Sequence, residues 1–107
     1  GMDIGAHSHS HEIFSKLSEK QLQFELSHSK QLLEKNLNIT IRALSYPVGN
    51  IETYNSNMFS ELEHNGYKLA FTFCPAINKQ PSSNNFELGR FSVDPTFDQK
   101  QLIKCWI

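Results

Sequence analysis

Three of the five histidines lie within one short segment, His7-Ser8-His9-Ser10-His11. Neutral imidazole is the commonest metal ligand among side chains. On a straight strand, His7 and His11 would lie roughly 13 Å apart, at about 3.3 Å per residue. Both rings could not then bind one ion at about 2.1 Å. If the chain leaves a strand at His7 and coils through a helical turn, the four-residue spacing brings His7 and His11 to one side, with His9 pointing elsewhere.

A metal centre is one of two interpretations of this histidine segment. A solvated, histidine-rich loop or a fragment of an affinity tag would have the same composition, and the residues alone favour neither. Two histidines also make an incomplete site, because catalytic zinc usually takes three protein ligands and leaves one position for water. The third ligand must come from elsewhere in the fold, and an Asp or Glu is the usual choice.

The composition limits the class of protein. A chain of 107 residues with 38% hydrophobic residues and eight Phe is one globular domain or part of one. Ten Lys and Arg against eleven Asp and Glu leave no basic excess to bind nucleic-acid phosphates. No apolar run approaches the roughly 20 residues of a membrane helix. Residues 1–12 are polar, unlike a signal peptide, so we expect an intracellular chain or one from which upstream sequence has been removed.

The elements that would position the histidines alternate between strand and helix. Residues 3–7 fit a short strand that runs into a loop. Ser18 and Gln21 form a capping-box pattern that begins a helix. That helix should end near Lys35, and its apolar stripe consists of Leu22, Leu26, Leu32 and Leu33.

The second half of the chain continues this alternation. Residues 39–46 read as a strand stopped by Pro47 and Gly49, and a helix over about 54–65 should end with Gly66 at its C′ position. Further strands are predicted over 68–73 and 86–93, separated by a loop over 75–85, and Thr96 begins a last helix. Strands that alternate with helices predict one α/β domain over 1–107, with parallel strands and outer helices.

Four segments, in order, resemble the polysaccharide deacetylase family, also called carbohydrate esterase family 4 or the nodulation-protein-B homology domain. Residues 3–11 resemble its metal-binding segment, acidic-Ile-Gly-x-His-Ser/Thr-x-x-His, and residues 26–34 resemble the helix that follows. Leu44-Ser45-Tyr46-Pro47-Val48-Gly49-Asn50 resembles the Tyr-Pro-Tyr/Phe-Gly motif, and residues 62–72 resemble a helix-Gly-Tyr-strand segment. The resemblance covers about residues 3–94, the central to C-terminal part of the family domain.

The resemblance implies a partial, distorted (β/α) barrel, about half of one, with a divalent metal that is commonly zinc. It implies metal-dependent hydrolysis of N-acetyl or O-acetyl groups on a carbohydrate polymer with acetylated amino sugars. By position, His7 and His11 take the two metal-ligand roles. The backbone N–H of Val48 takes the oxyanion-stabilising role, and Tyr46 and Pro47 the substrate-binding roles.

The chain also departs from the family pattern. The family's adjacent aspartates, one the catalytic base and one the third metal ligand, lie upstream of the histidine pair and are absent here. No histidine follows His64, so the late Leu-x-His motif is missing, and Ser45 stands where many members have an Arg. We therefore expect an inactive chain that binds metal weakly. The alternatives are a non-catalytic metal- or glycan-binding module, or a plain α/β interaction domain whose histidines are coincidental.

Length predicts a partner. A whole (β/α) barrel runs to about 200 residues or more, and half a barrel leaves strand edges and apolar faces open. We expect a homodimer or another chain to complete the barrel, with no nucleic-acid or membrane partner. Residues that contribute such a face are Phe71, Phe73, Phe86, Phe91 and Trp106.

Overall fold

The predicted capping box begins the longest helix of the computed structural model, which describes residues 1–92. The Ser18 hydroxyl accepts from the Gln21 N–H at 3.3 Å, and the Gln21 side chain accepts from the Ser18 N–H at 2.9 Å. Helix α1 then spans Glu19–Leu37 and ends at Asn38, which adopts the left-handed conformation with φ 54°. The predicted end near Lys35 is two residues short, because Asn tolerates the left-handed conformation that closes a helix.

The buried face of α1 is more polar than its leucines suggest. Leu22 and Leu26 are buried as predicted, but Leu32 is 39% exposed, so its assignment to the apolar stripe is wrong. Six residues beyond Leu26, at about 100° per residue, the helix has turned this side chain away from the core. Glu25 and Ser29 lie on the buried face instead.

The strands are parallel and follow chain order. Strand β1 (Ala43–Ser45) pairs with strand β2 (Leu69–Phe71), with Leu44 opposite Ala70. Single parallel bridges extend the sheet at both edges, from Ala6 to Leu44 and from Phe71 to Leu88. This arrangement confirms the expected parallel α/β architecture. Strands β1 and β2 are each shorter than the segment that the sequence predicted for them.

The second predicted helix is divided in two. A 3₁₀ turn, Ser56–Met58, leads into helix α2, Phe59–His64. Gly66 has φ +84° and follows the C-cap residue, which confirms its predicted position. Val93 and the last predicted helix, from Thr96 onward, lie outside the described residues.

The core lies between the helices and the sheet. Its largest fully buried side chains include Tyr46, Tyr67 and Phe14. The Tyr67 hydroxyl donates to the Leu26 carbonyl at 2.7 Å and thus connects the start of the β2 segment to α1. In the described part of the chain, no helix is both long and apolar enough to cross a membrane.

One predicted apolar face is partly open. Phe73 is 49% exposed, whereas Phe71, Phe86 and Phe91 are half-buried. Trp106 lies outside the described residues.

Candidate metal centre

The two predicted ligand rings meet. The ring centroids of His7 and His11 are 4.8 Å apart, with an angle of 71° between the ring planes. Two imidazoles that share one tetrahedral ion at about 2.1 Å place their centroids about 5 Å apart. The predicted convergence is therefore confirmed, and the spacing of the pair fits two positions of a divalent metal site.

The backbone achieves this convergence without the helical turn that the sequence suggested. Ser8 and His11 both adopt left-handed conformations, with φ 64° and 62°. The Ser8 hydroxyl accepts from the His11 N–H at 2.7 Å and closes the loop. The first helical turn, at Phe14–Lys16, comes only after this loop. The expected helical turn through His11 is therefore wrong, and two left-handed residues bend the chain instead.

The ring of His7 is oriented by the end of β1. Its Nδ1 lies 2.8 Å from the carbonyl oxygen of Ser45. A carbonyl only accepts, so Nδ1 carries a proton, and in the neutral ring Nε2 then keeps the lone pair. This pattern, in which one ring nitrogen donates to a carbonyl and the other is free to coordinate, is typical of metal-ligating histidines. The Ser45 hydroxyl is buried and has no hydrogen-bond partner in residues 1–92.

A buried carboxylate lies under the histidine loop. Oε2 of Glu25 accepts from the Ser8 hydroxyl at 2.9 Å, the His9 N–H at 2.7 Å and the Ser10 N–H at 2.9 Å, and Oε1 accepts from the Ser10 hydroxyl. Burial by itself raises the pKa of Glu25, but the hydrogen bonds from Ser10, His9 and Ser8 outweigh it and lower the pKa from 4.5 to about 2. Glu25 is not among the site residues predicted from the sequence. Its signal was an acidic residue on the same helix face as Leu22 and Leu26.

The other histidines do not join the pair. His9 packs against Phe24 and His28 from α1, with its ring centroid 5.6 Å and 4.6 Å from theirs. Phe24 and His28 are themselves stacked, at 4.8 Å. His64 is exposed at the end of α2. The prediction that His9 points away from the pair agrees with this placement.

The predicted oxyanion donor lies in a strained turn. Gly49 donates to the Pro47 carbonyl at 2.7 Å, which makes Val48 the centre of a three-residue γ-turn with φ 63°. The Val48 N–H has no partner within residues 1–92. Val48 and His7 line the same open cavity, of about 370 Å³, together with Phe73 and Arg90. The Val48 amide is therefore unpaired in this part of the chain, and its oxyanion-stabilising role stays a prediction.

The two predicted substrate-binding residues are buried. Pro47 is fully buried, and the Tyr46 hydroxyl donates to the Phe86 carbonyl at 2.8 Å while its ring stacks on Tyr54 at 4.5 Å. Burial, together with the nearby Tyr54 and Glu87, raises the pKa of Tyr46 well above its usual range. Tyr46 still borders the cavity beside His7, and its contact with substrate stays a prediction.

A third ligand is missing from the described part of the chain. Residues 1–92 contain no group of three His, Cys, Asp or Glu side chains close enough to hold a metal ion. Asp3 lines a different cavity, with Arg42 and Leu69. Within residues 1–92, the histidine pair would therefore supply only part of a coordination sphere.

Comparisons with known proteins agree on one family. Residues 1–70 match the family model described as polysaccharide deacetylase. The Bacillus subtilis (strain 168) protein YxkH, whose name assigns it provisionally to the polysaccharide deacetylases, is 28% identical over 95 residues, 89% of this chain and 33% of YxkH.

Two solved structures share the fold. The Streptococcus pyogenes deacetylase PplD, in complex with acetate, superposes with a TM-score of 0.84 at 26% identity, over 98% of this chain and 45% of PplD. The Bacillus cereus polysaccharide deacetylase BC0361 superposes with a TM-score of 0.76 at 22% identity, over 96% of this chain and 31% of BC0361. The chain thus spans a third of YxkH and less than half of either structure.

Proposed function

Because this chain belongs to the polysaccharide deacetylase family, we propose that it forms the histidine-bearing part of a metal-dependent hydrolase that removes acetyl groups from a carbohydrate polymer. The observation that carries this proposal is the convergence of His7 and His11, 4.8 Å apart, beside a cavity that Val48 also lines. The structure of PplD holds acetate, which is the product of acetyl hydrolysis, and this supports the same substrate class here.

The histidine pair would hold a divalent ion, with zinc as the choice typical of imidazole ligands. A bound ion of this kind polarises the acetyl carbonyl and lowers the pKa of its water. The chain's own residues prepare the site. Ser45 holds the His7 ring with Nε2 free, and the Val48 N–H offers a donor to the oxygen of the acetyl group as negative charge develops there.

Two motifs of the family are missing from the 107 residues, namely the adjacent aspartates and the late Leu-x-His histidine. We therefore propose that the base, the third metal ligand and the acid come from outside these 107 residues, which by themselves are inactive. The assay is acetate release from an N-acetylglucosamine oligomer in the presence of Zn²⁺. Robust, metal-dependent release by the chain alone would contradict this part of the proposal.

The metal claim has its own test. We expect calorimetric titration with Zn²⁺ to give weak binding, because two neutral imidazoles hold zinc less firmly than a site with an added carboxylate. His7→Ala and His11→Ala should each weaken it by about tenfold or more. His64→Ala, an exposed histidine on α2, is the matched control and should bind as the wild type does. Identical titrations in all four proteins would remove the metal claim.

Acetate tests the oxyanion donor. In the zinc-loaded chain, added sodium acetate should shift the NMR signal of the Val48 amide more than that of an amide remote from the cavity, such as Gln31. Equal and small shifts at both amides would exclude Val48 from the site.

We also propose that a second copy of the chain, or another chain, covers the apolar side chains that are exposed beside the cavity next to His7. Two of its lining residues are large, apolar and exposed, namely Phe73 at 49% and Val48 at 50%. Exposed apolar area of this kind favours association. Light scattering at micromolar concentration should show a dimer, and a pure monomer would count against self-association.

The second candidate function is a non-catalytic metal- or glycan-binding module, and the missing aspartates favour it. This candidate predicts zinc or glycan binding without acetate release even when a family segment that carries the aspartate pair is supplied in trans. Restored acetate release in that mixture would favour the hydrolase.

A further inference from the structure

We propose that Glu25 is a positioning residue for the metal site, which holds the His7–His11 loop in the bent conformation that brings the two rings together. This inference rests on the proposed function, since it assigns to a residue of α1 the geometry of the proposed ligand pair. Glu25 is only 6% exposed and lies on the buried face of the helix. Its carboxylate nevertheless faces the loop, where both oxygens accept hydrogen bonds.

The loop is bent in a way that needs external support. Left-handed conformations are disfavoured for residues other than glycine, and this loop contains two within four residues, Ser8 and His11. Such conformations persist only where surrounding contacts determine them. Within residues 1–92, the only side chain outside the loop that hydrogen-bonds the backbone of residues 8–11 is that of Glu25.

A relay connects the carboxylate to the second ligand. The Ser8 hydroxyl donates to Oε2 of Glu25 at 2.9 Å, and the same oxygen of Ser8 accepts from the His11 N–H at 2.7 Å. Because the hydroxyl proton points at Glu25, a lone pair of Ser8 points at His11. Glu25 thereby sets the direction of the hydrogen bond that closes the loop onto His11.

The charge and shape of a carboxylate both matter here. Four donors converge on its two oxygens, from Ser8, His9 and Ser10. A glutamine has the same shape but one accepting oxygen, and its NH₂ group would face a donor. Glu25→Gln should therefore loosen the loop while it preserves the packing of α1. Ser29→Ala is the matched control, because Ser29 is also buried on α1 but its hydroxyl donates to the backbone of its own helix and not to the histidine loop.

The experiment measures zinc affinity and loop order separately in the 107-residue chain. In calorimetric titration with Zn²⁺, we expect Glu25→Gln to weaken binding by about tenfold, within the range for outer-shell changes, and Ser29→Ala to leave it unchanged. In the metal-free protein, amide hydrogen exchange at His9, Ser10 and His11 should be at least about tenfold faster in Glu25→Gln only.

The two measurements test the positioning role of Glu25 separately from the proposed metal function. Unchanged exchange at these three amides in a folded Glu25→Gln protein would overturn the positioning role. A wild type that binds no zinc would remove the proposed metal function, while the exchange data would still decide the role of Glu25. If Glu25→Gln does not fold, Ser8→Ala breaks the relay in the exposed loop instead. Faster exchange at His11 in Ser8→Ala supports the proposal, and wild-type exchange there contradicts it.

Discussion

The Nδ1 atom of His7 donates a hydrogen bond of 2.8 Å to the carbonyl of Ser45, which lies 38 residues away at the end of β1. The bond joins the first ligand candidate to the sheet, and it determines which ring nitrogen is free. The orientation of His7 thus follows from the pairing of the strands, because the bridge from Ala6 to Leu44 places the two segments side by side.

This hydrogen bond predicts the tautomer of His7. At a pH where the ring is neutral, ¹⁵N NMR should show the proton on Nδ1, because the carbonyl of Ser45 accepts it there. The exposed His64 serves as the control and should show a mixture of tautomers. The same mixture at His7 would contradict the hydrogen bond.

Glu25 predicts a loss of stability in acid. Burial alone would raise its pKa, but the hydrogen bonds from the loop lower the pKa from 4.5 in the unfolded chain to about 2 in the folded protein. A lowered pKa stabilises the folded state above pH 4.5, and that stabilisation is lost as the pH falls through about 2. Allowing for solvent screening, it amounts to about 2 kcal/mol.

The measurement compares chemical denaturation at about pH 5 and about pH 2. The stability difference between the wild type and Glu25→Gln should shrink toward acid by that amount. Ser29→Ala removes a buried hydrogen bond without a charge, and its difference from the wild type should be similar at both pH values. A Glu25→Gln difference that does not change with pH would exclude an ionised Glu25 in the folded protein.

The positive φ of Val48 predicts that glycine is well tolerated at this position. Its φ of 63° is unfavourable for a β-branched side chain by about 1–2 kcal/mol, and this strain disappears in Val48→Gly. Glycine costs about 0.5–1 kcal/mol in chain entropy, so the variant should be as stable as the wild type or more stable. Ile51→Gly is the control, because Ile51 is also exposed and β-branched but lacks a positive φ. Thermal unfolding should show a loss of stability for Ile51→Gly alone.

The close packing of Gly5 against β1 predicts that a larger residue at this position lowers stability. A Cβ at this position would lie 2.9 Å from the backbone oxygen of Ala43 in β1, too close for either chain to keep its place. We expect Gly5→Ala to cost about 1–3 kcal/mol, as in overpacked cores, and to weaken the bridge at Ala6. Gly1→Ala is the control, since nothing lies within 4 Å of its added Cβ. Equal stability of the two variants would refute this close approach.

Local features were predictable from the chain because they depend on neighbours only. The Ser18 capping box and the left-handed Gly66 each involve residues within four positions of one another. The parallel arrangement also followed, since strands that alternate with helices have few other solutions. The exposure of Leu32 could not be predicted in this way, because it depends on which face of α1 packs against the core.

The candidate metal centre also combines features that the sequence predicts with features that depend on tertiary contacts. The sequence sets the identity and spacing of His7 and His11, and imidazole ligation is the metal chemistry that this pair would supply. Whether the two rings meet was decided by contacts with residues distant in sequence. Ser45, whose carbonyl binds the His7 ring, lies 38 positions from His7. Glu25, which accepts from the Ser10 N–H, lies 15 positions from Ser10. Such contacts leave no periodic pattern, because their energy comes from hydrogen bonds that exist only once the helix and the sheet have packed together.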